Sequence, residues 1–223
     1  MLSLKQTASL GNYIPGENIQ VISEITDSSK IKSGKYLYLW GSDATGKTHL
    51  ATAAAKMAND NGLAAAFIPL SKATELSPEM LDDIEQMELI CLDDIHAIAG
   101  NRSWEEALFH LFNRAKEHGS NLIITSDSSP FSLQINLPDL VSRLASGSSY
   151  RLAPLDDTAK ITLLIDKAKE RGMDLSPDTA SYILKNYSRN ISSLLSFLDQ
   201  LDQASLAAQR KLTIPFVRDQ LGS

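Results

Sequence analysis

Residues 36–50, YLYLWGSDATGKTHL, leave the chain few folds to choose from. Gly41-Ser42-Asp43-Ala44-Thr45-Gly46-Lys47-Thr48 has the spacing G-x-x-x-x-G-K-[ST], set between an apolar run and a helix-forming stretch. That strand–loop–helix context is the one the motif needs. Its glycines let the loop curl so that successive backbone N–H groups point at phosphate oxygens, and the following helix adds its positive N-terminal end. Lys47 is then placed to reach the β- and γ-phosphates of a nucleotide, and the Thr48 hydroxyl to ligate Mg²⁺. His49 stands next to them in the same turn. An ordinary strand–turn–helix with two turn glycines is the competing reading, and the correct flanks favour the phosphate loop.

The rest of residues 13–155 repeats the alternation of short apolar strands and helices. After the loop, Leu50, Ala53, Ala54, Met57 and Ala58 recur at helical spacing up to Asn61-Gly62. Residues 64–70, 89–92, 121–125 and 150–152 read as further strands, and 17–30, 102–118 and 137–145 as helices. Residues 72–86 read as a helix or helix-loop. Buried strands alternating with helices predict an α/β fold: a five-stranded parallel sheet with helices on both faces. Ligands bind such sheets outside the carboxyl ends of the strands. Three polar clusters fall there: 41–48, 93–94 and 125–127.

Beyond Pro154 the strands stop. Residues 157–171, 177–187, 189–208 and 214–221 read as helices, with Ser176-Pro177 as a start signal. The sequence thus predicts a tail over 1–12, an α/β nucleotide-binding domain over 13–155 and a small all-helical domain over 156–223. The tail is expected to be extended.

Asp93-Asp94 ends an apolar strand as a Walker B pair does. Asp93 would hold the Mg²⁺ shell and Asp94 would polarise a water. Glutamate is commoner at the second position in active ATPases of this class, and aspartate is a methylene shorter. The competing reading is that the two aspartates are N-cap carboxylates for the turn that follows. Thr125, Ser126 and Asp127 occupy the place where a polar group senses the γ-phosphate; an Asx-type turn before Pro130 is the other reading. Arg143, in Asp139-Leu140-Val141-Ser142-Arg143, is either a surface ion-pair partner or an arginine that reaches a neighbour's nucleotide.

The order of phosphate loop, LICLDDIHAIAG, NLIITSDSSP, LPDLVSRLASG and then an all-helical lid resembles AAA+ proteins of the DnaA type. The stretch from Leu198-Asp199-Gln200-Leu201-Asp202 to Gln209-Arg210-Lys211-Leu212-Thr213-Ile214-Pro215-Phe216-Val217 resembles the Hda-like regulators within that family. The resemblance implies an AAA+ P-loop fold with bound ADP or ATP and Mg²⁺. The implied partners are DnaA, the DNA polymerase III sliding clamp and, through the clamp, DNA; a homo-oligomer is a further option. It implies a regulator that stimulates hydrolysis of DnaA-bound ATP and so restrains replication initiation, with weak ATPase of its own. An independent ATPase of the helicase-loader or DnaA-like type is the alternative. Arg143 becomes the arginine finger offered in trans. Tyr13 and Ile14, in the turn up to Asn18, become contacts of the adenine. Two positions depart from the family pattern. The family's clamp-binding peptide resembles Gln-Leu-Ser-Leu-Pro-Leu, and Met1-Leu2-Ser3-Leu4-Lys5 keeps only Leu-Ser-Leu. The sensor-2 arginine is replaced by Ser192, with Arg189 one turn earlier.

Composition narrows the alternatives. Among 223 residues the net charge is −6, which argues against a dedicated nucleic-acid surface. The single Cys91 excludes an intrachain disulfide and suits packing in a reducing cytosol. The histidines show no metal-ligand grouping with it. No apolar run is long enough to span a membrane and no secretory signal is visible, so a cytoplasmic location is expected.

Overall fold

A computed structural model describes residues 8–208 and 211–221, and the chain divides into two compact units at Pro154–Leu155. The first unit is built on five parallel strands: β1 (Tyr36–Trp40), β2 (Ala65–Pro69), β3 (Leu89–Asp93), β4 (Asn121–Ser126) and β5 (Ser148–Arg151). Their order across the sheet is β2-β3-β4-β1-β5. Strands β3, β4 and β1 therefore lie side by side, and their carboxyl ends bring the three predicted polar clusters together.

Alternation along the strands explains the two-sided sheet. Leu37, Leu39, Leu89, Cys91 and Ile123 face one side, against α1 (Ile19–Ser28) and α2 (Lys47–Asp60). Tyr38, Ile90, Leu92, Leu122 and Ile124 face the other, against α3 (Arg102–His118) and α4 (Pro138–Ala145). Strand β5 is the exception. Ser148 and Ser149 are exposed, so this edge strand carries little apolar signal and begins earlier than the 150–152 expected.

Two expectations are corrected. Residues 72–86 are not a regular helix but short 3₁₀ turns, with Leu70–Lys72 just ahead of Pro78–Leu81 and Ile84–Gln86. Pro78 holds Ser77 extended, at ψ 143°. Asp83 then takes φ 64°, which no continuous right-handed helix tolerates. Residues 8–12 are not extended. Ser9 and Asn12 form a reciprocal capping box around a 3₁₀ turn, Leu10–Asn12. The expected clamp-binding segment, Met1 to Lys5, lies outside the described residues.

Asn121 fixes the link between α1 and β1. Fully buried, its carbonyl accepts from Ser33 N (3.0 Å) and Lys35 N (2.9 Å), and its amide donates to Ser28 O (2.8 Å) and Ile31 O (2.7 Å).

The second unit holds α5 (Asp157–Glu170), α6 (Pro177–Asn186), α7 (Ile191–Ala208) and α8 (Ile214–Leu221). Asp156 caps α5 through Ala159 N at 2.7 Å, and Ser176 caps α6 ahead of Pro177, as that start signal predicts. Leu164, Ile183, Phe197, Leu198, Leu201 and Phe216 form its core. An isolated parallel bridge joins Leu175 to Leu212.

Candidate functional site

The phosphate loop runs from the end of β1 into α2. Gly46 takes φ 89°, and a Cβ there would stand 2.6 Å from the Tyr13 ring. Glycine is required twice over, by backbone conformation and by space. A Cβ on Gly41 would meet Leu152 O at 2.8 Å. Ala44 also has positive φ, 60°. Ser42 and Asp43 are exposed on the outside of the loop, and Thr45 Oγ1 donates to Ser42 O at 2.9 Å. Lys47 is buried. Its Nζ donates to Gly41 O at 2.8 Å and Ser42 O at 2.9 Å, which holds one positive charge inside the loop.

Opposite the loop, Asp93 is 2 % exposed at the end of β3. Burial raises its carboxyl above the usual range. A hydrogen bond from Thr125 opposes this, the neighbouring Asp94 adds to it, and a Thr48 hydrogen bond and the Lys47 charge oppose it further. Thr48 and Asp93, the two expected Mg²⁺ ligands, thus lie near one another. Thr125 Oγ1 donates to Asp93 Oδ1 at 2.6 Å and accepts from Asp94 N at 2.9 Å. This one hydroxyl stitches the end of β4 to the end of β3.

Asp94 sits at the N-cap of a 3₁₀ turn (Ile95–Ile98) with φ 60° and ψ 52°, yet its carboxylate makes no capping bond. The capping alternative therefore does not hold for Asp94. Asp127 lies one residue past β4 and is exposed. It accepts from Ser128 Oγ at 2.8 Å, and its N–H donates to His96 Nδ1 at 3.3 Å. Of the three residues expected at this strand end, Thr125 is the one that touches Asp93.

Tyr13 lies over Gly46, and its hydroxyl donates to Thr45 O at 3.2 Å. Burial pushes its phenol up, with the Asn18 hydrogen bond opposing. Ile14 follows, half-buried. His49 points at the N-terminal turn: its Nε2 lies 2.9 Å from Ser9 O and its ring 5.8 Å from that of Tyr13. No local pattern in the sequence ties residues 9–13 to the phosphate loop; only folding brings them there.

Arg143 rides on α4, which is held at both ends. At its start, the buried Glu105 carboxylate accepts from Asn136 N and Leu137 N, each at 3.0 Å. At its end, Tyr36 Oη donates to Leu144 O at 2.8 Å. The Arg143 guanidinium, half-buried, makes no hydrogen bond or ion pair with another described residue. In the second unit, Arg189 is paired with Asp157, while Ser192 is exposed at the start of α7.

A loop that curls around its own lysine, a threonine facing a buried strand-end carboxylate, and a parallel sheet followed by a helical unit define an AAA+ P-loop module. The bacterial DnaA ATPase domain family matches residues 4–151, and the Hda lid domain family matches residues 157–221. The chain belongs to the DnaA-related AAA+ family and carries a lid of the Hda type. Domain III of the Thermotoga maritima replication initiation protein DnaA is similar in fold: TM-score 0.83 at 19% identity, covering 96% of this chain and 95% of that one. A replication initiator DnaA bound to AMPPCP and single-stranded DNA gives TM-score 0.75 at 24% identity, over 93% of this chain and 69% of that one. The Thermotoga maritima RuvB Holliday junction branch migration motor gives 0.75 at 16% identity, over 99% and 73%. Among the described residues no helix is long and apolar enough to cross a membrane.

Proposed function

We propose that this chain is a cytoplasmic, nucleotide-holding regulator of DnaA, which acts with the DNA-loaded sliding clamp to stimulate hydrolysis of DnaA-bound ATP. The observation that carries the reading is Arg143: a guanidinium with no carboxylate partner among the described residues, on a helix clamped by Glu105 and Tyr36. A charge kept unpaired on a rigid support is suited to meet phosphate on another molecule, where an arginine finger neutralises transition-state charge.

Within the chain, the nucleotide is ADP or ATP. Loop N–H groups and Lys47 would hold its phosphates, and Tyr13 and Ile14 would contact its adenine. The Thr48 hydroxyl and the Asp93 carboxylate, which lie near one another, suit the Mg²⁺ that nucleotides carry, since Mg²⁺ takes few carboxylates beside phosphate oxygens. Bound Mg²⁺ would neutralise phosphate charge. Thr125 then orients Asp93, and the exposed Asp127 stays the group offered to the γ-phosphate or its water. Residues 1–12 offer the clamp contact.

The test is DnaA ATP hydrolysis with DNA-loaded clamp. Arg143→Ala is expected to abolish stimulation and to leave ADP binding intact. Normal stimulation by that variant refutes the finger. The complete Lys47, Thr48 and Asp93 set favours one second reading, an independent ATPase. It requires robust turnover by the chain alone, lost in Lys47→Ala and Asp94→Asn.

A further inference from the structure

Asn18 stands immediately before α1, where an asparagine would ordinarily cap the helix with its side-chain oxygen. It makes no such bond. The side chain is 4 % exposed and turned elsewhere. Its Oδ1 accepts from Ala153 N at 2.9 Å, and its Nδ2 donates to Ala153 O at 3.1 Å and to the Tyr13 hydroxyl at 3.2 Å. Tyr13 in turn donates to Thr45 O. A continuous chain thus runs from Ala153, next to the end of the first unit, through Asn18 and Tyr13 into the phosphate loop.

The direction of these bonds matters. Because Asn18 donates to the phenol oxygen, the phenol hydrogen is free to donate to Thr45 O. The peptide joining Thr45 to Gly46 is planar and trans, so its C=O and N–H point opposite ways. Holding the carbonyl towards Tyr13 aims the Gly46 N–H at the other face of the loop. We infer that Asn18 is a positioning residue for nucleotide binding, acting through Tyr13 to set the orientation of a phosphate-facing peptide; this rests on the nucleotide-holding reading above.

Asn18→Asp separates this role from a merely structural one. Aspartate is nearly isosteric and keeps the acceptor for Ala153 N, but it loses both amide donor bonds, to Ala153 O and to Tyr13. The acceptor now facing the phenol draws the Tyr13 proton away from Thr45. Affinity for mant-ADP is measured by fluorescence titration on the full chain, with Mg²⁺, for wild type, Asn18→Asp, Tyr13→Phe, the double variant and Lys47→Ala. Circular dichroism on the same samples shows that they are folded. Each single variant is expected to weaken binding about five- to tenfold, the worth of one or so hydrogen bonds. The double variant should lose no more than Asn18→Asp alone, because once the Asn18 link to the phenol is broken, removing the phenol hydroxyl has nothing further to break on the way to Thr45. Wild-type affinity in folded Asn18→Asp, or losses that add in the double variant, overturns the assignment. If wild type binds, Lys47→Ala does not and Asn18→Asp binds normally, only the Asn18 role falls. If wild type and Lys47→Ala bind equally poorly, the nucleotide-holding reading falls and takes the Asn18 role with it.

Discussion

Replacing Thr125 by valine keeps the shape of a fully buried side chain and deletes one hydroxyl. Two bonds go with it: the donor to Asp93 Oδ1 at 2.6 Å and the acceptor for Asp94 N at 2.9 Å. A hydrogen bond to a charged group contributes about 1.5–3 kcal/mol, and an orphaned, partly buried N–H costs about 1 kcal/mol. The expected loss is therefore about 3 kcal/mol, or about 6–12 °C in Tm for a domain of this size. The loss also depends on pH. Burial raises the folded-state pKa of Asp93 above its unfolded value, so the folded state binds the proton more tightly. Stability contributed by this group is then highest below the ordinary carboxylate value and falls as pH rises through the raised one. Valine removes a bond that favours the charged form, so it raises the pKa further. The deficit of Thr125→Val relative to wild type should be smaller at about pH 4, where the cost of the orphaned Asp94 N–H remains, and full at about pH 8. Thermal melts followed by circular dichroism at both ends read it directly. Equal Tm values at about pH 8, or a deficit larger in acid, would refute the assignment of Thr125 as the strut of Asp93.

Two further expectations concern the scaffold. Asn121→Ala removes four short hydrogen bonds to the α1–β1 link and should cost about 3–4 kcal/mol in urea denaturation, at about 1 kcal/mol each. Burial beside Asp93 pushes the Cys91 thiol far above the usual range. Iodoacetamide should therefore leave Cys91 unmodified in the folded protein and label it only at the denaturant concentration that unfolds the first unit, as mass spectrometry would show.

Much of the first unit was legible because its signals are local. The glycines and lysine of 41–48, the apolar runs of β3 and β4, and the helical spacing of 102–118 each state their own structure within a dozen residues. The polar turns over 70–86 were not legible as such, because Pro78 and Asp83 act against a pattern of helix-tolerant neighbours. At the site, Lys47, Thr48 and Asp93 could be placed together once the sheet was known to be parallel. Thr125 could be placed at the strand end, but not singled out from Ser126 and Asp127, since only the pairing of β3 with β4 shows which hydroxyl meets Asp93. Asn18 was not singled out in the sequence, where it only closes a turn, because its partners are five and 135 residues away.

The place of β1 in the sheet also sets a schedule. Its hydrogen-bonding neighbours are β4, beginning at Asn121, and β5, beginning at Ser148. During synthesis the strand that leads into the phosphate loop emerges early and then waits, both edges open, until the chain beyond Asn121 has followed it out. Non-local strand pairing of this kind is slow and exposes unpaired edges. β2 and β3 can pair with each other meanwhile, and β4 must then enter between β3 and β1. The Asn121 bonds to the α1–β1 link form at that same moment. The nucleotide site is therefore a late product of folding although its defining motif lies in the first quarter of the chain, and a nascent chain arrested before β4 should hold that motif without being able to use it.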